Sequence, residues 1–318
     1  MADWPTQHAP LSAPGEPSRE TPPLRSPTDA VFTARSPSFW RFANPLTMWR
    51  RLWTQRGLIW QFTVRDVQGR YRGSFLGLFW SFFTPLLMLS VYTFVFGYVF
   101  NSWQSESASA SQPAVLAVRI QWVLKLFCGL IVFGIFSECV SRAPGLIVGV
   151  PNYVKKVVFP LEVLPVAVLG ASLIHATISM GLLVAALLVF EGRLSLTISL
   201  FPLVLVSLVM MTMGIAWFLA SLGVFVRDVG HAVGIAVTVL FFMSVAIFDP
   251  LSTLPEPFRA LMLFNPLAGL VEDSRRTLVQ GSPPNWPWWG AVFVVSAVVM
   301  QLGYMWFMKS KRWFSDVI

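Results

Sequence analysis

The sequence predicts an all-α integral membrane protein of six transmembrane helices, preceded by an amphipathic helix at the membrane surface. Three observations carry this prediction. Mean hydropathy over the 318 residues is +0.66. Charged residues make up only 12% of the chain, against about 25% in a soluble domain. Charge-free windows recur at lengths near the ~20 residues that cross ~30 Å of hydrocarbon.

Residues 1–40 are rich in Pro, Ser, Thr and Ala, with few large apolar side chains. Such an arm buries too little surface to offset its ordering entropy and is expected to be disordered. It holds no apolar stretch of the kind a secretory signal requires. Over 45–72 a helical period follows, with Leu46, Trp49, Leu52, Trp53, Ile59, Trp60, Val64 and Val67 on one face. Arg50, Arg51, Gln55, Gln61 and Arg65 occupy the other. One helix lying in the membrane interface is expected, with indoles at headgroup depth and arginines toward anionic lipid.

The spans are expected near 76–100, 121–140, 163–190, 194–218, 232–248 and 288–308. The second is the weakest, because Lys125 and Glu138 must lie near its ends and reach outward to their interfaces. The third and fourth are joined by a tight hairpin at "FEGRL". The loop between the fifth and sixth contains "EPFRALMLFNPLAGLVEDSRRTLVQG", apolar but interrupted at Asn265–Pro266. Its pieces are too short to cross singly, so two short re-entrant outer helices are expected. No internal repeat is visible.

Seventeen of the 23 Lys and Arg fall before the first span, in 142–156, at Arg227 or in the tail. By the positive-inside rule both termini are cytoplasmic. Basic residues that flank apolar segments in this way read as membrane topology rather than nucleic-acid binding, although the net charge is +8.

Several chemistries are excluded. There is no GxxxxGK[ST] loop, and no lysine follows a glycine, so this chain is not expected to hydrolyse ATP. HExxH, GxSxG and paired carboxylates are also missing, which argues against an enzyme acting on polyprenyl phosphates. Cys128 and Cys139 lack metal or redox spacing and read as small buried hydrophobes. His175, mid-span, is either a functional group or a neutral helix-packing residue. Sparse midplane charge argues against a proton-coupled carrier.

Two basic stretches remain. Arg70 and Arg72 sit where the surface helix meets the first span, at headgroup level. They serve either as plain topology anchors or as recognition of a phosphate-bearing headgroup. The inner loop "SRAPGLIVGVPNYVKKVVFPLEVLP" is basic and stiffened by four prolines. It is either a simple connection or a short helix that transmits force from a soluble partner.

Several of these segments are similar to those of one family. "RDVQGRYRGSFLGLFWSFFTPLLMLSVYTFVFGYVF", "NYVKKVVFPLEVLPVA", "VFVRDV", "FNPLAGLVEDSRRTL" and the ending "RWFSDVI" resemble, in order and spacing, ABC-2-type permeases that export O-antigen, capsule or teichoic acid. The resemblance implies the ABC-2 permease fold over 74–310 with a cytoplasmic tail at 311–318. It implies a homodimer in the bacterial inner membrane, paired with two copies of an ATP-binding cassette subunit. ATP and Mg would bind that partner, with no cofactor in this chain. The cargo would be an undecaprenyl-diphosphate-linked polysaccharide, with ordinary lipids or small drugs as the alternative. By the same likeness Arg142, Pro151, Asn152, Lys155 and Lys156 would couple to the ATPase. Asn265, Pro266, Arg275 and Arg276 would belong to outer gate helices. Arg70 and Arg72 would attract the diphosphate, and aromatics from spans one and five would line the path.

Overall fold

Helix formation begins at Asn44, whose Oδ1 accepts the Leu46 N–H at 2.9 Å while Pro45 occupies the first helical position. The computed structural model describes residues 44–72, 77–99, 112–155, 159–192, 194–244 and 265–318. The arm at 1–40, Lys156 and the outer segment before Asn265 lie outside them.

The surface helix is two helices, not the single one expected: α1, Pro45–Thr54, and α2, Arg56–Tyr71. They meet at Gln55, which leaves helical geometry at φ −95°, ψ 9°. The local sequence explains the break. Thr54 bonds back to the Arg50 carbonyl at 2.8 Å, and Gly57 follows, costing about 1 kcal/mol in a helix interior. In α1, Leu46, Trp49 and Trp53 are exposed and Met48 is the buried anchor. On α2 the protein-facing side is Phe62 and Thr63, not the apolar stripe read from the sequence; Trp60 points outward. Thr63 donates to the Ala167 carbonyl at 3.3 Å, in a site left open by Gly170.

Among the described residues five stretches have the length and apolarity to cross a membrane. They contain α3, Trp80–Tyr92, which runs on as a π-helical turn over Thr93–Val99; α4, Gln112–Arg142; α6, Val163–Glu191; α7, Phe201–Phe225; and α10, Trp286–Ser310. At the fifth predicted span lies α8, Val229–Met243, with 15 residues. At ~1.5 Å per residue it is shorter than the hydrocarbon, and the predicted continuation past Ser244 is outside the described residues. The second span, read as marginal, is instead part of a 31-residue helix. Between α4 and α6 lies the five-residue α5, Pro151–Lys155.

The centre of the fold is the α7–α10 pair. Gly214 and Gly303 face one another so closely that a Cβ on either would strike the other helix's backbone. Gly223 takes Pro144 of the inner loop in the same manner. Small residues let helices approach where lipid offers no hydrophobic drive to associate. Fully buried Trp217 lies beside Tyr304, ring centroids 5.2 Å apart, and its Nε1 donates to the Glu162 carbonyl at 3.1 Å. Glu162 itself is buried and paired with Lys311 Nζ at 2.7 Å.

At the opposite end, Gly192 ends α6 in the left-handed region at φ 65° and turns the chain toward α7. Short helix α9, Pro266–Leu278, packs there against α4 and α7. It is capped by Asn265 Oδ1, which accepts the Leu267 N–H at 3.0 Å. Thr197 ties α9 to the hairpin by donating to the Thr277 carbonyl at 2.8 Å. Helix α3 is the least covered of the five: 11% of its apolar window is buried, against 17% for α6 and 67% for α4. Its outer face, with Phe82, Leu86, Phe94 and Tyr98, is therefore available to lipid or to another chain.

Candidate functional site

Helices α3, α4, α6 and α8 enclose a groove of about 800 Å³. Helical spacing sets its two characters. Ser172, His175 and Ser179 recur on one face of α6, and Ser137, Glu138, Ser141 and Arg142 crowd the last turns of α4. Toward the other end the walls are aromatic. Tyr92 of α3 meets Phe241 of α8 at 5.4 Å between centroids, and Phe133 of α4 meets Phe241 at 5.1 Å. Span one supplies Tyr92 to this groove, span five Phe241 and Phe242, and span two Phe127 and Phe133.

At the polar end four charges from two helices converge. Arg142 grips Asp66 of α2 with both guanidinium nitrogens, at 2.7 and 2.5 Å. Arg70 reaches Asp66 at 3.4 Å and also pairs with Glu138. Arg142 stands 3.7 Å from Glu138. On the far side of the cluster is a second cavity of about 450 Å³, lined by Phe62, Arg65, Asp66, Arg70, Arg142 and Tyr153. Arg142 therefore lines both spaces.

Burial pushes the Asp66 carboxyl up, but the Arg142 hydrogen bonds and charge, then Arg70, outweigh it and hold Asp66 below its ordinary 3.8. A depressed folded value contributes stability above the unfolded value that disappears as pH falls through the folded one. The melting-temperature gap between wild type and Asp66→Asn should therefore be full at pH 7 and close below about pH 4; thermal scanning across that range checks this.

The structure distributes the predicted residues unevenly. Arg70 lies in the cluster, whereas Arg72 ends α2 and is exposed. Arg142, grouped with the inner loop, belongs instead to the cluster. Pro151, Asn152 and Lys155 stand exposed on α5. Asn265 and Pro266 start α9. Arg275, counted as an outer-loop charge, is only 2% exposed; its Nε donates to the Lys125 carbonyl at 3.1 Å and it pairs with Glu272 at 3.5 Å. Arg276 donates to the Pro283 carbonyl at 3.1 Å. Lys125 was expected only to reach its interface; its backbone is where α9 attaches.

Sequence reasoning missed Asp66 and Glu138. Glu138 was expected to turn outward and faces Arg70 and Arg142 instead. The available signal was two opposite-charge pairs at i,i+4 spacing, Asp66–Arg70 and Glu138–Arg142, each closing a helix at the basic end. Two acids thus do meet at one interface, each neutralised by arginine. Among the described residues no group of three or more His, Cys, Asp and Glu is placed to hold a metal. Cys128 and Cys139 are buried thiols.

Comparison with known proteins adds to this geometry. Residues 57–278 match a family described as "ABC-2 type transporter". The O-antigen export system permease protein RfbA of Myxococcus xanthus is 28% identical, over 85% of this chain and 98% of the relative. Its namesake from Klebsiella pneumoniae is 24% identical, over 80% and 93%. The polysialic acid transport protein KpsM of Escherichia coli is 25% identical, over 69% and 80%.

Proposed function

Since the chain belongs to the ABC-2 type transporter family, we propose that it is the membrane-spanning permease subunit of an ATP-driven exporter of undecaprenyl-diphosphate-linked polysaccharide. The observation that carries this is the 800 Å³ groove, aromatic along one half and charged at its basic end. Sugar faces stack on rings, and guanidinium groups pair with phosphate oxygens. The polysaccharide-export names of the relatives support the same cargo over small lipids or drugs.

The rest of the machine is what family membership implies: ATP and Mg belong to a separate ATP-binding cassette subunit, two copies to a homodimer of this chain, and the lack of a phosphate-cradling loop in the sequence agrees with this. The basic end faces the bacterial cytoplasm, with both termini there and the spans in the inner membrane. Exposed α5, with Pro151, Asn152 and Lys155, and Lys156 beyond it, seats on that subunit. Arg142, at the head of the same loop, passes the movement to α2 through Asp66. Arg70 and Arg72 draw the diphosphate to the groove. Asn265, Pro266, Arg275 and Arg276 hold α9 at the outer exit.

Reconstitution tests this reading. Proteoliposomes holding the permease with its ATPase are expected to move polyprenyl-diphosphate glycan in an ATP-dependent way, and the permease alone is expected to move none. Lys155→Glu with Lys156→Glu should reduce copurification of the ATPase. Sustained flipping by the lone permease refutes the division of labour, and an undiminished complex refutes the docking role.

A further inference from the structure

We propose that Arg70 and Arg142 form a diphosphate-binding site whose anion positions are occupied, until cargo arrives, by the carboxylates of Asp66 and Glu138. This rests on the reading of the cargo as a lipid diphosphate and adds to it both a second arginine and a built-in competitor.

The geometry is that of a filled anion site. Two guanidinium groups, one from α2 and one from α4, share two carboxylates. Arg142 makes the two-pronged contact with Asp66 at 2.7 and 2.5 Å, the arrangement in which arginine also takes phosphate. Arg70 bridges both acids. A diphosphate offers the same pair of anionic groups on adjacent centres, with more charge and more acceptor oxygens.

Access is also present. The four side chains are 21 to 38% exposed, so water already reaches every member. Arg142 borders both cavities, and Glu138 faces the groove while Asp66 and Arg70 face the smaller space. A headgroup can enter from the basic end, displace the acids toward water and stand at the head of the groove. With two positive and two negative members the empty cluster is neutral, and needs no counter-ion. The displaced acids remain beside the bound headgroup and repel it, which favours release onward. A simple clamp between α2 and α4 would also pair these residues, but it predicts no gain in anion binding when the acids are removed.

The experiment uses the full chain in nanodiscs at low salt, with binding measured for inorganic pyrophosphate and for a polyprenyl diphosphate mixed into the disc. Asp66→Asn with Glu138→Gln is expected to bind both probes about tenfold more tightly than wild type, because the competing charges are gone. Arg142→Gln is expected to lose at least about tenfold on both, while Arg227→Gln, exposed and lining neither cavity, leaves binding unchanged. The lipid should bind more tightly than pyrophosphate; equal affinities refute a lipid source. Unchanged or weaker binding by the acid-free double variant overturns the proposal, as does undiminished binding by Arg142→Gln. Should Arg142→Gln fail to give a monodisperse peak, Arg142→Lys keeps the charge without the fork and is expected to fall between wild type and loss; wild-type affinity there overturns the two-pronged contact. ATP-driven export by the wild-type complex is scored separately. Its absence refutes the function proposed above, whereas export alongside an unresponsive double variant refutes only the competitor.

Discussion

Gly303→Val is expected to abolish a stable fold: the chain inserts into membrane but gives no monodisperse peak and no cooperative thermal transition. Overpacking an ordinary core costs about 1–3 kcal/mol, because neighbouring side chains can shift. Here no side chain is in the way. A Cβ on Gly303 meets the carbonyl and Cα of Gly214, and a Cβ on Gly214 meets the backbone of Val299 and Met300. Relief requires α7 and α10 to separate. That would pull Trp217 from Tyr304 and strip contacts along the most extensive helix pair in the protein. The cost therefore lies above the usual range. Gly303→Ala, adding only the Cβ, should behave the same way in milder form. Gly181→Ala is the control: a Cβ there has nothing within 4 Å, and the better helix former should be neutral or stabilising by up to about 1 kcal/mol. Size-exclusion profiles and melting curves of the three variants in one detergent check this. A folded Gly303→Val protein would mean that the two helices are not held at glycine distance.

How much of this was legible beforehand follows from what hydropathy measures. Partition into lipid is a one-dimensional property, so charge-free windows located α6 and α10 to within two residues, whereas α7, expected at 194–218, lies at Phe201–Phe225 and α3, expected from 76, begins at Trp80. The interruption read at Asn265–Pro266 is where α9 starts; the Asn44–Pro45 start is an equally local signal that was not read. The break at Gln55 was not read, although Thr54 and Gly57 mark it. The length of α4 was underestimated because charge was taken as a boundary, whereas Arg119, Lys125 and Glu138 all lie inside that helix.

The candidate site was half legible for a related reason. Arg70, with Arg72, stood out as a charge placed against apolar sequence, whereas Arg142 was read only with the inner loop. That they share a site depends on how α2 docks on α6, through Thr63 entering the space left by Gly170, and Asp66 and Arg142 are 76 residues apart. Nothing in the periodicity of α2 shows which face will be held, and its apolar residues do not form a single stripe. The inner loop was read as one functional unit because its residues are contiguous. Folding divides it: Arg142 turns inward to the carboxylates, while α5 stays outside. Ala143 and Pro144, next to Arg142, are buried, and Pro144 packs on Gly223 of α7.

Lys311→Met is expected to destabilise the protein by about 2–3 kcal/mol, and Glu162→Gln by clearly less. The two residues make one ion pair at 2.7 Å, but their surroundings differ: the Glu162 side chain is 5% exposed and that of Lys311 is 27% exposed. Removing one member of a buried pair costs about 3–5 kcal/mol, because the survivor is left charged without water. Without Lys311 the survivor is Glu162, inside the fold beside the Trp217 contact. Water reaches Lys311, which brings the figure to the lower end of that range or just below it, about 2–3 kcal/mol. Without the Glu162 charge the survivor is Lys311, whose flexible stem carries the ammonium outward. Gln at 162 also keeps the carbonyl that accepts from Trp217 Nε1. The double variant, Glu162→Gln with Lys311→Met, leaves no buried charge and should return to within about 1 kcal/mol of wild type. Melting curves of the four proteins at pH 7 close the cycle. The order is diagnostic: if Glu162→Gln costs as much as Lys311→Met, or the double variant is the least stable of all, the pair acts through packing and not through the burial of a carboxylate.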